Sequence, residues 1–312
     1  VWYRRSDFDG VARTDAAGFT IGNKGYICGG YNGKTTRLAD TWEYDIDNDW
    51  WTQRADMPGT VRNAATGFPV GNKGYITTGY NPDQKYLADT WEYDPQTNTW
   101  RQMDDFKGGA RYYALGFGID NYGYVGTGYN DNYLKDFYRF DPTAAAGSQW
   151  TIVNGFGGQK RQGATAFVIN GKAYVCGGQN NNSDVSDFWR FDPSAATPWT
   201  QLRDIANTSD DDYDDDYTSI VRSYGVSFVI DGKAYLTLGS TAGGSYYSNY
   251  WIYDPETDLW EGDDLTAFEG STRIHAVCFS TGTRGIIATG GSGSSSYFDD
   301  TWELKPYEYE EE

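Results

Sequence analysis

A unit of about fifty residues recurs six times along this 312-residue chain, and no other feature constrains the fold as tightly. Each unit opens on an arginine: Arg13, Arg62, Arg111, Arg161, Arg222 and Arg273, spaced 49, 49, 50, 61 and 51 residues apart. It runs to an aromatic six residues later, through Gly-Tyr or Ala-Tyr to a glycine end, and across a polar loop. An Asp-x-Trp/Phe-x-Tyr/Phe-Asp segment and then a tryptophan complete it. The first two units show the kinship directly: FTIGNKGYICGGY (19–31) matches FPVGNKGYITTGY (68–80), and RLADTWEYDIDNDWW (37–51) matches YLADTWEYDPQTNTW (86–100).

Each unit reads as four strands. In the second, the spacing predicts a first strand near Ala65–Val70, a turn at Gly71–Lys73 and a second strand at Gly74–Gly79. A third strand carries Trp91 and Tyr93, a turn with Pro95 and Asn98 follows, and a fourth strand starts near Trp100. Alternate aromatics on a pleated strand share one face. A lone four-stranded sheet cannot bury both faces, whereas sheets stacked around an axis can. Composition agrees, with 17% aromatic residues and 39 glycines, the chemistry of pleated surfaces and tight turns. The expected fold is therefore all-β, a six-bladed β-propeller with four antiparallel strands per blade, and residues 1–312 form a single domain. In the sixth unit the terminal tryptophan is due at position 311, where Glu311 stands. Trp2 precedes Arg13 by the interval that separates Trp51 from Arg62, so a segment of about residues 1–8 is expected to supply the missing outer strand. Closure of this kind leaves no unpaired sheet edge.

The arginine, the glycine pairs (Gly29-Gly30, Gly177-Gly178, Gly290-Gly291), the Tyr-Asp-Pro and the spaced tryptophans resemble kelch repeats, with departures at Thr78-Gly79, Thr127-Gly128 and Leu238-Gly239. The variant with Gly-Tyr-Asn is similar to repeats in secreted or envelope proteins of Bacteroidetes-type bacteria. That resemblance implies a bacterial periplasmic, outer-membrane-associated or secreted location. More distantly the chain resembles the central domain of galactose oxidase, whose copper site takes two His and two Tyr. One histidine, His275, cannot supply that pair, and a seventh blade is lacking, so copper radical oxidation is rejected. No HExxH, GxSxG or phosphate-loop pattern is present.

The net charge of −19 repels a phosphate backbone and an anionic membrane surface, which argues against nucleic acid as a partner. No stretch approaches the roughly 18 apolar residues of a spanning helix. Cys28, Cys176 and Cys278 are odd in number and widely spaced, and read as small buried hydrophobes rather than a disulfide framework. The chain opens on Val1 with no signal-peptide pattern, as a trimmed mature fragment would.

The repeat also allows the chain to be compared with itself. A residue kept in every unit is structural, and one that breaks the pattern on the loop face is a functional candidate. The loops entering the first strand and leaving the second are expected on one face. The six arginines form either a cationic ring for a carboxylate or pairs with Asp40, Asp89, Asp136, Asp187 and Asp300, and the recurrence of the partner favours pairing. Arg222 stands out because Asn249 replaces its aspartate. The two residues after each arginine vary and are expected at the channel mouth: Thr14-Asp15, Asn63-Ala64, Tyr112-Tyr113, Gln162-Gly163, Ser223-Tyr224 and Ile274-His275. The ligand-binding candidates are thus Asp15, Asn63, Tyr112, Tyr113, Gln162, Arg222, Tyr224 and His275, against the alternative of a solvated pore lining.

Two loop features complete the set. Tyr31-Asn32, Tyr80-Asn81, Tyr129-Asn130, Gln179-Asn180 and Tyr246-Tyr247 suit sugar stacking or turn chemistry, and their near-periodicity favours turns. An insertion at about 206–218 carries Asp210, Asp212, Asp214 and Asp216. These are weak calcium ligands in prospect, since the glycine and glutamate of an EF-hand loop are missing, and a self-repelling solvated loop is favoured. No other cofactor is expected. The leading functional expectation is a noncatalytic module of the bacterial envelope that binds a glycan or a protein on the loop face. Resemblance to bacterial N-acetylneuraminate epimerases implies an alternative, sugar-acid mutarotation. There Arg222 or Arg13 would hold the carboxylate, with His275 or Asp15 as acid/base. A structural spacer is the third.

Overall fold

In the computed structural model, which describes residues 1–33, 36–262 and 265–308, six four-stranded antiparallel sheets surround one axis. Blade one comprises Ala17–Ile21, Lys24–Cys28, Thr41–Asp45 and Trp50–Arg54, in that order from the axis outward. The corresponding inner strands of the other blades are Thr66–Val70, Leu115–Ile119, Thr165–Ile169, Val226–Ile230 and Val277–Ser280. Blade six takes its outer strand from the N-terminus. Trp2–Arg5 pairs with Thr301–Leu304, and Trp2 faces Leu304 as Trp51 faces Tyr44 and Trp100 faces Tyr93. The expected register is therefore the observed one, although Glu311 itself lies outside the described residues.

The cores lie between blades. One cluster joins Phe8, Tyr44 and Trp51 of the first blade to Phe279 and Ile286 of the sixth, so the ring closes through packing as well as pairing. Burial of rings of this size contributes on the order of 2–3 kcal/mol each. Among the described residues no helix is long and apolar enough to cross a membrane.

A ring of backbone hydrogen bonds also holds the blades to one another. The second-strand glycines Gly30, Gly79, Gly128, Gly178, Gly239 and Gly290 each donate their N–H to the carbonyl of the next blade's arginine, and Gly290 closes the circle onto Arg13. A Cβ on Gly79 would meet the Asn63 carbonyl oxygen at 2.9 Å, which explains why glycine is kept there. The preceding position also has positive φ but takes Gly29, Thr78, Thr127, Gly177, Leu238 and Thr289. The pair in blade six is accordingly Thr289-Gly290, one residue earlier than the Gly290-Gly291 suggested by composition.

All six repeat arginines are 2% exposed or less, so they take the favoured pairing and do not line the mouth. Arg62 makes two bonds to Asp89 (2.7 and 2.6 Å), and Arg13, Arg111, Arg161 and Arg273 pair with Asp40, Asp136, Asp187 and Asp300. Three other expectations need correction. Cys28 and Cys176 are buried, but Cys278 is only half-buried and faces the lower channel. In blade five Ser240, not Tyr246, bridges to Ser223 as Tyr31 bridges to Thr14, so Tyr246 belongs one loop position later. The acidic insertion keeps Asp210, Asp211, Asp212, Asp215 and Asp216 in solvent but is anchored by its apolar residues. Ile205, Tyr217 and Ile220 are buried against Trp251 and Trp260, and the Tyr217 hydroxyl accepts the Trp260 N–H at 2.8 Å. Within it Asp212–Asp214 forms a short 3-10 turn, and Asp214 turns inward to accept the N–H groups of Thr208 and Ser209. Among the described residues no three His, Cys, Asp or Glu side chains gather as metal ligands, so Asp210, Asp212, Asp214 and Asp216 form no such cluster.

Candidate functional site

The residue two places after each repeat arginine, that is Asp15, Ala64, Tyr113, Gly163, Tyr224 and His275, forms a tight circle on the axis. All six have φ between 52° and 73°. The Ala64 N–H donates to the Asp15 carbonyl, Tyr113 to Ala64, Gly163 to Tyr113, Tyr224 to Gly163 and His275 to Tyr224, at 2.9–3.3 Å. Left-handed backbone is costly for residues as bulky as tyrosine, and such strain clusters at sites where a side chain must be aimed. Here it turns each side chain toward the axis. Behind the circle the next position is Ala16, Ala65, Ala114, Ala164, Gly225 or Ala276, small in every blade, and a cavity of about 160 Å³ remains.

Four of the six side chains carry chemistry. The His275 Nδ1 lies 2.9 Å from Asp15 Oδ1. Asp15 Oδ2 accepts hydrogen bonds from the Tyr113 hydroxyl (2.7 Å) and the Asn63 amide (2.9 Å). The Tyr113 hydroxyl is also 3.4 Å from His275 Nε2. The imidazole lies between two phenol faces, stacked on Tyr113 at 4.9 Å and tilted against Tyr224 at 4.3 Å. Gln179 donates to the Tyr224 hydroxyl at 3.0 Å and fixes that ring. Burial works to raise the Asp15 pKa, but neighbouring His275 and the bonds from His275, Tyr113 and Asn63 outweigh it and hold the carboxyl below the usual range. Burial, and then the Asp15 charge, push the Tyr113 phenol well up. Asp15 is thus a carboxylate at neutral pH and Tyr113 a phenol.

The mouth above the circle is lopsided. The loop position bridged to each blade's entry strand holds Tyr31, Tyr80, Tyr129, Gln179, Ser240 and Gly291. Its cross-strand partner holds Arg37, Tyr86, Tyr133, Asp184, Tyr246 and Tyr297. Blades one to three therefore raise an aromatic wall, in which Tyr112 packs on Tyr80, Tyr86 and Tyr129 at 5.5–6.0 Å. Burial, followed by neighbouring Tyr129 and Asp15, pushes the Tyr112 pKa up to about 12. Asn81 and Asn130 do turn chemistry, their Oδ1 atoms accepting the N–H groups of Asp83 and Asn132.

Of the eight residues singled out from sequence, Asp15, Asn63, Tyr113, Tyr224 and His275 form the axial network, and Tyr112 belongs to the wall. Gln162 is buried beside it, bridged to Gln179. Arg222 is elsewhere. It is buried against the carbonyls of Ile220, Leu238 and Ser219 and the Tyr247 ring, with Asn249 Oδ1 accepting at 3.1 Å. Neither it nor Arg13 is available to a ligand. Sequence reasoning missed Arg37. Its Nε donates to Asn63 Oδ1 at 3.0 Å, and its guanidinium lies over Tyr31. The signal was the alignment of 37 with 86 and 297, where tyrosine is otherwise common.

Residues 12–58, 70–107 and 160–202 match the Kelch motif. The solved structure of YjhT superposes with a TM-score of 0.77 over 95% of both chains at 16% identity. The chain is a six-bladed β-propeller that carries kelch motifs. The propeller is also 29% identical to the N-acetylneuraminate epimerases of Yersinia pestis (strain Pestoides F) and Yersinia pseudotuberculosis serotype O:1b (strain IP 31758). Those matches take in 43% of the propeller and 41% of each relative, so less than half of either relative's length is spanned.

Proposed function

We propose that the axial mouth binds a sugar acid and that His275, held by Asp15, accelerates interconversion of its anomers. The observation that carries this reading is the Asp15–His275 pair at 2.9 Å, in which the chain's one histidine meets a carboxylate from the opposite end of the sequence on the propeller axis. The partial likeness to N-acetylneuraminate epimerases supports the substrate class.

Anomerisation of a hemiketal needs one proton taken from the anomeric hydroxyl and one given to the ring oxygen. A neutral imidazole with its proton on Nδ1, the nitrogen 2.9 Å from Asp15 Oδ1, carries its lone pair on Nε2. Nε2 takes the hydroxyl proton, the ring carbon–oxygen bond breaks as the hydroxyl becomes a carbonyl, and the imidazolium returns the proton to the departing ring oxygen. The transient cation lies against the Asp15 carboxylate and between the Tyr113 and Tyr224 rings, which favour it. Rotation and ring closure reverse the steps, and nothing is consumed. A positioned acid/base of this kind contributes about 10²–10⁴-fold.

The test is proton NMR of freshly dissolved N-acetylneuraminate, which starts as one anomer. Wild type should speed equilibration and His275→Gln should not. Absence of acceleration by wild type removes the catalytic reading. A second reading, noncatalytic binding of a glycan, is favoured by the aromatic wall of Tyr80, Tyr86, Tyr112 and Tyr129. Saturation transfer from protein to sugar without faster equilibration would select it.

A further inference from the structure

We propose that Arg37 is the carboxylate anchor of the axial site and makes it selective for acidic over neutral sugars, an inference that rests on the sugar-acid reading above. Three observations carry it. First, Arg37 breaks the pattern of its position. The six equivalent residues are Arg37, Tyr86, Tyr133, Asp184, Tyr246 and Tyr297, four tyrosines, one acid and one cation. In a propeller whose frame is set by repetition, a single cation facing the mouth is a departure the fold does not require.

Second, Arg37 is wired to the acid/base pair. Its Nε donates to Asn63 Oδ1 at 3.0 Å, and the Asn63 amide donates to Asp15 Oδ2 at 2.9 Å. In a 2-keto sugar acid the carboxylate is bonded to the anomeric carbon itself. Whatever grips the carboxylate must therefore stand beside whatever moves the anomeric proton, and one asparagine separates the two here. A guanidinium has five N–H donors in a planar fork, and Asn63 takes one. Tyr31 at 4.3 Å and Tyr80 at 5.5 Å lie against the same group and hold its plane, which reduces the entropy lost on binding.

Third, the repeat arginines are spent. The six repeat arginines are buried, five on aspartates and Arg222 on backbone carbonyls and Asn249. A net charge of −19 repels an acid at long range, so recognition of one needs a local cation.

The experiment is calorimetric titration of the intact chain with N-acetylneuraminate and with its methyl ester, which keeps the sugar and removes the charge. Wild type should bind the acid about 10- to 100-fold more tightly than the ester, the range of a charge-assisted contact. Arg37→Gln should bring the acid down to the ester's level and leave the ester unchanged, and Arg37→Lys should restore part of the preference. An Arg37→Gln protein that still prefers the acid overturns the inference and leaves the sugar-acid reading intact. Equal loss of acid and ester overturns it too, since Arg37 would then only shape the loop. A wild type that binds neither compound removes both.

Discussion

Replacement of Asn249 by aspartate should stabilise the protein. In five blades the buried arginine meets a carboxylate, as in the two bonds of 2.7 and 2.6 Å from Arg62 to Asp89. In blade five Arg222 finds, beside backbone carbonyls, one neutral side-chain oxygen at 3.1 Å, and burial draws its pKa down to about 10. Hydrogen bonds between neutral groups contribute about 0.5–1.5 kcal/mol and those to charged groups about 1.5–3, so the exchange is worth about 1–2 kcal/mol before losses. The loss is the Asn249 amide's bond to Ser219 Oγ at 2.8 Å, although that hydroxyl can rotate to donate to the new carboxylate. A net gain of about 1 kcal/mol remains, or about 2 °C in a chain of this size. The pH dependence separates this cause from others. Asp40, Asp89 and Asp300 face burial that raises their pKa, yet their arginines and tryptophans hold them below the usual carboxylate value. A depressed folded pKa stabilises fully above the unfolded value near 4 and is lost as pH falls through the folded value. The difference in denaturation midpoint between Asn249→Asp and wild type should therefore be constant from pH 8 to 5 and shrink steadily as pH falls below 4. A destabilised variant at pH 7, or a gain that does not shrink below pH 4, refutes the reasoning.

Other outcomes follow from the same contacts. Gly79→Ala should cost about 1–3 kcal/mol in urea denaturation, because its φ is +113° and the new Cβ strikes the Asn63 carbonyl. Trp2→Ala should cost about 3–5 kcal/mol, since that ring is buried against Phe268 at 5.0 Å, and a variant starting after Arg5 should self-associate in sedimentation through the exposed edge of Thr301–Leu304. Asp15 has a depressed pKa, so Asp15→Asn should destabilise above about pH 4 and converge on wild type below it.

Much of the frame was legible because it repeats. The Trp2 interval announced the closing strand, and a partner recurring with each arginine announced the buried pairs. The two residues after each arginine were legible as the mouth because both vary, but nothing in the sequence picked out the second as the axial one. Less could be read where geometry is not periodic. Spacing does not reveal that positive φ turns Asp15, Tyr113, Tyr224 and His275 onto one another from four blades. Glycine count misplaced the pair in blade six, where Thr289 holds a left-handed conformation normally left to glycine. Charge count made the insertion a solvated loop, but Tyr217 and Ile220 outweigh its aspartates by docking on Trp251 and Trp260. Arg37 was set opposite Tyr86 by the match of 37–51 to 86–100, but its bond to Asn63 was not legible there.

The most direct test of the axial site uses the chain's one histidine, whose imidazole ring protons give NMR signals that need no assignment. Titration with N-acetylneuraminate should shift those signals in step with binding, because any ligand at the mouth meets His275 between Tyr113 and Tyr224. Saturable binding that moves other resonances and leaves the histidine signals in place would contradict it.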